Sequence, residues 1–361
     1  MILKELHLYN FKNFGEKTFH FAQALNALTG NNGVGKTNVL DAINMLAFGK
    51  SYFHLTLNQI IRHGQQEFSI KGIFRDTENR NTEIVLLQYR KGEKKILKRN
   101  DKPYERLTDH IGRIPVVMIS PYDRDLISES GEIRRKFLDK IIAQFDKEYL
   151  ADLTAYNKIL SQRNRLLKYF AFNNTFDAET LEVYNEKLSR YGTRIFSKRQ
   201  IFIDKFRPYL QEKYAWVSHR AEEVDITYRS ELQDKPLSEL LDENLERDRL
   251  LQHTTKGIHR DDLIFLINGY PIRKFGSQGQ QKSYLIALKL AEYESLRARK
   301  KSAPILLFDD IFDKLDPTRV KQIVKWVETG TFGQIFLTDT HPERLQQLLK
   351  DINKQTGIIH L

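Results

Sequence analysis

The segment Gly30 to Thr37, GNNGVGKT, fits the phosphate-binding pattern G-x-x-x-x-G-K-[ST]. Gly30, Gly33 and Gly35 let the chain curl, so that backbone N–H groups of the loop, Asn31, Asn32 and Val34 included, face phosphate oxygens. The loop opens a helix, whose dipole adds positive potential at that end. Lys36 is expected to contact the β and γ phosphates of ATP, and the Thr37 hydroxyl to ligate Mg²⁺. An apolar strand, Leu25 to Leu28, precedes the loop and the amphipathic NVLDAINMLAF follows it, which separates this segment from a chance match to the bare pattern.

Two further segments near the other end of the chain complete such a site. In ILLFDD (Ile305 to Asp310) four apolar residues end in two aspartates, placing carboxylates at a strand terminus. Asp309 would hold Mg²⁺ directly or through water, and Asp310 would orient or deprotonate the attacking water. The plainer alternative is a strand end with two solvated aspartates. GSQGQQKS (Gly276 to Ser283) places small residues at a helix start, where the Ser277 hydroxyl and the N–H groups about Gly279 and Gln280 could meet a γ-phosphate. Taken alone it could also be only a turn and a helix cap.

Together the three segments resemble an ABC-type ATPase head, in which the signature of one subunit completes the ATP site of another. The resemblance implies an ATP-gated homodimer. Most such heads carry glutamate where this chain has Asp310. Aspartate is one methylene shorter, so the carboxylate is drawn back by about 1.5 Å. Misplacement of about 1 Å can lower a rate on the order of a hundredfold, so slow hydrolysis is expected.

More discriminating stretches run nearly end to end: LHLYNFKNF, GNNGVGKTNVLDAI, SPYDRDLI with RRKFLD, YNKILSQRNRLLK, HRDDL (His259 to Leu263) with NGYPIRKFGSQGQQKS, and ILLFDDIFDKLD. In these the chain resembles the RecF family of bacterial recombination and repair ATPases, related to SMC-type heads. Residues from about 170 to 250 match it only in general character. The resemblance implies ATP-dependent binding of single-stranded, gapped or junction DNA in replication, recombinational repair and the SOS response. RecO and RecR would be its partners in placing RecA, and ATP hydrolysis would be weak and DNA-dependent. Lys36, Thr37 and Asp309 keep their roles; Ser277 and Gly279 would bind the γ-phosphate across the dimer, and Asp316 falls at the D-loop aspartate. Asp313 replaces a common serine there, Ile258 a common proline, and Asp339 stands at the switch-histidine position with His341 two residues on. No glutamine marks a Q-loop near Ser120 to Asp123.

The elements that must position these groups fall in three zones: 1–130, the first part of the head; 131–255, helical; and 256–361, the second part. The fold class expected is α/β, an ABC-type P-loop head with a mixed β lobe and an α/β core. In the first zone TEIVLLQYRKGEKKILKRND (Thr82 to Asp101) reads as a hairpin turning at Lys91, Gly92 and Glu93, and VVMIS (Val116 to Ser120) as a buried strand. In the middle zone Leu181, Tyr184, Leu188, Tyr191 and Ile195 form a short heptad-like seam. That seam fits a short antiparallel helical arm or an ordinary helical lobe, with Asn173, Asn174 and Thr175 at the inter-helix turn. The last zone reads as a strand from Leu263 meeting the turn pair Asn268-Gly269, a helix from about Gln280 to Arg299, the strand Ile305 to Phe308, a helix after Pro317, a strand around Ile335 to Leu337 and a final helix from His341.

Composition bounds the partners. The 361 residues contain no cysteine, which excludes disulfides and thiolate metal sites. No apolar run is long enough to span a membrane, and MILKELHLYNFKNF reads as a strand rather than a leader, so a cytoplasmic protein is expected. The net charge of +11 favours a polyanion, nucleic acid before an acidic membrane surface. Lys94, Lys95, Lys98 and Arg99, with Arg90, Lys91 and Lys102, crowd the hairpin, and Lys198, Arg199, Lys205 and Arg207 lie on the helices. These are candidate DNA-phosphate contacts or simply solvated faces. Alternatives to a DNA-dependent ATPase are an SMC-type structural clamp with negligible turnover, a transporter ATPase subunit and, least favoured, a small-molecule kinase.

Overall fold

The computed structural model describes residues 1–76, 81–218, 222–300, 302–310, 333–343 and 356–361. They form two compact units, Met1–Asp123 with Glu292–Leu361, and Arg124–Ala291. This partition divides the segment 256–361 after Ala291.

In the first unit an antiparallel sheet runs in the order β2-β1-β4-β5-β6-β7. Its strands are β1 (Ile2–Phe11), β2 (Phe14–His20), β4 (Glu67–Arg75), β5 (Thr82–Arg90), β6 (Ile96–Arg99) and β7 (Lys102–Pro103). Alternation decides which face is buried: in β4, Phe68, Ile70 and Phe74 point inward and are at most 1% exposed. The expected hairpin is present, with β5 paired to β6 and Gly92 at φ 86° in its turn. Between β3 (Leu25–Thr29) and the short helix α2 (Leu57–Ile60) lies α1 (Lys36–Phe48), buried on nearly every face and closed by left-handed Gly49, whose N–H reaches Met45 O at 2.8 Å. The segment ends with α3 (Leu107–His110) and the fully buried β8 (Val116–Ile119).

The second unit is a helical lobe built on an antiparallel hairpin. After α4 (Asp125–Ser128) and α5 (Gly131–Ala143) come α6 (Lys147–Asn173) and α7 (Ala178–Ser218). The last of these is about 60 Å long at the usual helical rise. Arg163 meets Asn185 at 2.8 Å and Asp152 meets Arg194 at 3.2 Å, which fixes the antiparallel register. The tip lies where the sequence indicates: α6 stops at Asn173, and Asn174 caps it at φ 52°. The seam differs. The buried stripe of α7 runs through Leu181, Asn185, Leu188, Gly192, Ile195, Arg199 and Phe202, while Tyr184 and Tyr191 are only half-buried flanks. An apolar-only pattern misses this because polar Asn185 and Arg199 are buried with hydrogen-bond partners, and Gly192 has no side chain to register.

The middle zone is also not wholly helical. β9 (Val224–Arg229) follows α7, with Val224, Ile226 and Tyr228 buried in alternation. It pairs antiparallel with β10 (Asp262–Ile267), after α8 (Leu237–Glu243) and α9 (Leu245–Leu251). Asn268-Gly269 turns β10 into β11 (Tyr270–Pro271), as the turn pair indicates. Then come α10 (Ile272–Phe275) and α11 (Gln278–Arg297).

The remaining strands, β12 (Ile305–Phe308), β13 (Ile335–Asp339) and β14 (Thr356–His360), join β3 and β8 in an all-parallel sheet ordered β14-β3-β13-β12-β8. β14 is absent from the sequence reading, which continues a helix from His341; only Pro342 and Glu343 are described as helical there. The helix after Pro317 lies outside the described residues. α1 contacts strands of both sheets, and their side chains merge into one core from Leu6 and Phe68 to Leu307 and Phe336.

Candidate nucleotide-binding site

β3 delivers the chain into the loop and α1 carries it away, so the loop amides gather at the start of a helix whose first-turn N–H groups have no intrahelical acceptor. Gly30, Gly33 and Gly35 have φ of 144°, 83° and 112°. At Gly35 the reason is double. Positive φ disfavours an L side chain, and a Cβ would stand 2.6 Å from Phe14 and 2.7 Å from the Asn13 amide. The β1–β2 turn therefore braces the loop: Asn13 Nδ2 donates to Val34 O at 2.8 Å and its Oδ1 accepts from Asn38 at 2.7 Å. Lys36 is 6% exposed, and its ammonium donates to Gly30 O at 2.7 Å and Asn31 O at 2.9 Å. The charge is thus held over the loop centre, with a third donor position available.

β12 brings the carboxylates to this loop. Thr37 Oγ1 donates to Asp309 Oδ1 at 2.8 Å across 272 residues of sequence. Thr338 at the end of β13 donates to the same oxygen at 3.0 Å, and Ser120 after β8 reaches Oδ2 at 3.4 Å. Burial pushes the Asp309 carboxyl above its usual range and neighbouring Asp310 adds to this, while Thr37, Thr338 and Ser120 act in the opposite sense. A buried carboxylate and a hydroxyl are hard oxygen donors. Mg²⁺ takes one or two protein ligands of this kind and fills its octahedron with water and phosphate, so the pair fits that ion. Asp310 is half-buried at φ 49°, a left-handed conformation in which aspartate is enriched, and its N–H donates to Thr338 Oγ1 at 2.8 Å.

The signature lies in the second unit. Ser277 N–H donates to Gln280 Oε1 at 2.7 Å and Gln280 N–H to Ser277 Oγ at 3.2 Å, a reciprocal capping box at the start of α11. Ser277 and Gly279 are exposed, and the serine hydroxyl hydrogen stays available to a ligand. A Cβ on Gly279 would meet nothing nearer than Ser277 Oγ at 3.9 Å. Within this chain a side chain would fit; only something approaching from outside would feel it.

Residues 2–360 match the RecF/RecN/SMC N terminal domain family. The DNA replication and repair protein RecF of Flavobacterium johnsoniae is 51% identical to the chain over the full length of both. The chain belongs to the RecF family. The RecF of Parabacteroides distasonis is 46% identical, over all of this chain and 97% of that protein. A solved structure described as the recombination mediator protein RecF with ATP, in the RecFOR pathway, has a TM-score of 0.89 at 31% identity, covering 98% of this chain and 93% of its own. An Smc head domain from Pyrococcus furiosus, 17% identical with a TM-score of 0.57, shares the fold.

Other residues of this RecF-family chain sort less evenly. In HRDDL, His259 is held between Tyr156 OH at 2.9 Å and Thr254 O at 3.1 Å, and burial pushes its pKa down to about 4. Asp261 accepts from Tyr228 and Arg199, and Asp262 takes a two-pronged bond from Arg134 at 2.8 and 2.9 Å. Arg199, 1% exposed, also binds Asp139 and Ile258 O, so as a phosphate contact it is corrected to a buried strut. Lys198 is paired with Asp146 and Glu148, and Arg207 with Asp225. On the hairpin, Arg99 forks onto Glu83 at 2.7 and 2.9 Å and Lys95 donates to Gly49 O at 2.7 Å. Burial opposes ionisation of Glu83, yet Arg113 and Arg99 hold it down to about 2. Lys94 is exposed and Lys98 half-buried, and neither has such a partner among the described residues.

At the switch position Asp339 is 5% exposed at the end of β13, and His341 is exposed. Asp313 and Asp316 lie outside the described residues. Sequence reasoning missed Asn13, Ser120 and Thr338. Asn13 sits in the quoted stretch LHLYNFKNF; Ser120 and Thr338 are small hydroxyl residues at strand ends, where only strand order reveals that they face Asp309.

Proposed function

We propose that this chain is an ATP-gated, DNA-binding homodimer of gap repair, a slow DNA-dependent ATPase. The Thr37–Asp309 bond carries the reading: it joins the phosphate loop to the carboxylate strand as an ATP site requires. Lys36 would leave the Gly30 and Asn31 carbonyls for the β and γ phosphates, and the loop amides would hold the remaining oxygens. Mg²⁺, held by Thr37 and Asp309, would neutralise charge between the phosphates. Asp310 would orient the attacking water. Exposed Ser277 and Gly279, with half-buried Gln280 capping the helix behind them, would serve a second copy's γ-phosphate.

The RecF relatives are named for DNA replication and repair, and the solved relative for the RecFOR pathway. On that likeness the DNA would be single-stranded, gapped or junction DNA bound without sequence preference, with RecO and RecR as partners and a place in recombination and the SOS response. Lys94 and Lys98 remain as hairpin contacts; Lys95 and Arg99 would act only by exchanging their protein partners. No helix among the described residues is long and apolar enough to cross a membrane; HRDDL, the helical segment and the net charge of +11 are what weigh against a transporter ATPase subunit.

The test is ATP turnover per subunit against protein concentration, with and without gapped DNA. A rate rising with both supports a composite, DNA-coupled site; a rate indifferent to both removes that support. Asp310 favours one second reading, a clamp with negligible turnover. Full repair function in an Asp310→Asn variant would select it.

A further inference from the structure

HRDDL is the motif that nucleotide chemistry does not absorb, and its five residues divide sharply. His259, Asp261, Asp262 and Leu263 turn into the second unit, whereas Arg260 is exposed and, among the described residues, makes only a long contact, 3.4 Å, to Thr254 O. It lines a concavity of about 730 Å³ together with Arg229 and Arg247. Arg247 and Arg260 form no ion pair among the described residues, and Arg229 is 3.8 Å from an Asp262 already held by Arg134. Two of the three lining carboxylates are engaged: Glu231 by Lys256, and Asp261 by Tyr228 and Arg199. Only Asp234 remains at the rim. Three arginine forks thus face one hollow with most of the negative charge beneath them already spent.

Guanidinium forks match phosphate oxygens two by two. Among the described residues the hollow is lined by no Phe, Tyr or Trp; its single imidazole, His253, is tied to Leu251 O at 2.8 Å, and Leu251 is its one aliphatic side chain, so it offers arginine forks for phosphate rather than a stacking platform or an apolar protein anchor. Contacts of this kind position a backbone without reading sequence. We propose that Arg229, Arg247 and Arg260 bind the phosphodiester backbone of duplex DNA. This site rests on the DNA-binding reading above and places that function on the second unit, apart from the lysines of the hairpin.

The test is anisotropy of labelled duplex DNA with ATP over a salt series, comparing the full chain with Arg247→Gln/Arg260→Gln and Arg247→Glu/Arg260→Glu. Both side chains are exposed, so the milder pair should fold, and ATP-dependent dimerisation by sedimentation serves as the control. The expected result is affinity lower by ~10-fold or more. The slope of log affinity against log salt should be shallower by about two, with dimerisation unchanged. Equal affinity and slope in wild type and both variants would overturn the site while leaving DNA binding standing. No duplex binding by the wild type, with gapped or single-stranded DNA still bound, would overturn the duplex assignment, and binding of none of these would overturn the DNA reading itself. Pyrophosphate bound by wild type but not by the variants, with duplex affinity unaffected, would make the hollow a small-anion site and overturn the duplex assignment.

Discussion

Thr37 and Asp309, 2.8 Å apart, join the first turn of α1 to the end of β12, and β8 and β13 add Ser120 and Thr338 to the same carboxylate. The pair is a ready oxygen-donor site in which each side chain already orients the other. Asp309→Asn keeps the hydrogen bond and removes the charge. Nucleotide binding by fluorescence should then lose its dependence on Mg²⁺, and turnover should fall on the order of a hundredfold or more. Unchanged Mg²⁺ dependence would remove Asp309 from the metal site.

Gly279 separates a composite site from a self-contained one. Gly279→Val should leave folding and nucleotide binding intact, because a Cβ there meets nothing closer than 3.9 Å, yet should abolish ATP-dependent dimerisation. Lys36→Ala should fail earlier, at nucleotide binding. Mixed together, the two inactive variants should regain part of the activity, since a mixed dimer keeps one intact loop facing one intact signature. No recovery in a proven mixed dimer would mean that the signature does not act across subunits.

Asp310→Asn is expected to fold normally, because asparagine tolerates the left-handed backbone at φ 49° as aspartate does. If Asp310 activates water, single-turnover hydrolysis should slow by about a hundredfold or more while ATP-dependent retention of gapped DNA persists. Hydrolysis within twofold of wild type would transfer that role elsewhere.

His259 predicts a pH dependence of stability. Burial depresses its folded-state pKa to about 4, below the ordinary value of 6.5, so the folded chain resists a proton that the unfolded chain accepts. The contribution is fully present above pH 6.5 and is lost as pH falls toward 4, on the order of 3 kcal/mol in total. Thermal unfolding followed from pH 7 to pH 4 should decline less steeply in His259→Gln. Parallel declines would show that other groups govern acid sensitivity.

Much of the site was legible because its chemistry is local. A phosphate loop needs its glycines, lysine and threonine in one short run, and strand and helix periods frame it. The capping box Ser277–Gln280 and the turn at Asn268-Gly269 are likewise short-range. β14 and β9 were missed because each is brief and adjoins a stronger helical signal. The α7 seam was misread because Asn185 and Arg199 are buried through partners distant in sequence, which no periodicity of apolar residues records.

From the order of its residues alone this chain specified a phosphate loop, a carboxylate strand, a signature helix and an α/β class, each set by short-range geometry and residue type. Tertiary structure decided the remainder. Parallel pairing of β3, β13, β12 and β8 put Thr37, Thr338 and Ser120 on one carboxylate, and burial sorted the basic residues into struts such as Arg199 and Arg99 and exposed charges such as Arg260 and Lys94. The physical reason is common to both. Whether a charge is paired and whether two strand ends meet depend on long-range contacts, and sequence spacing does not encode them.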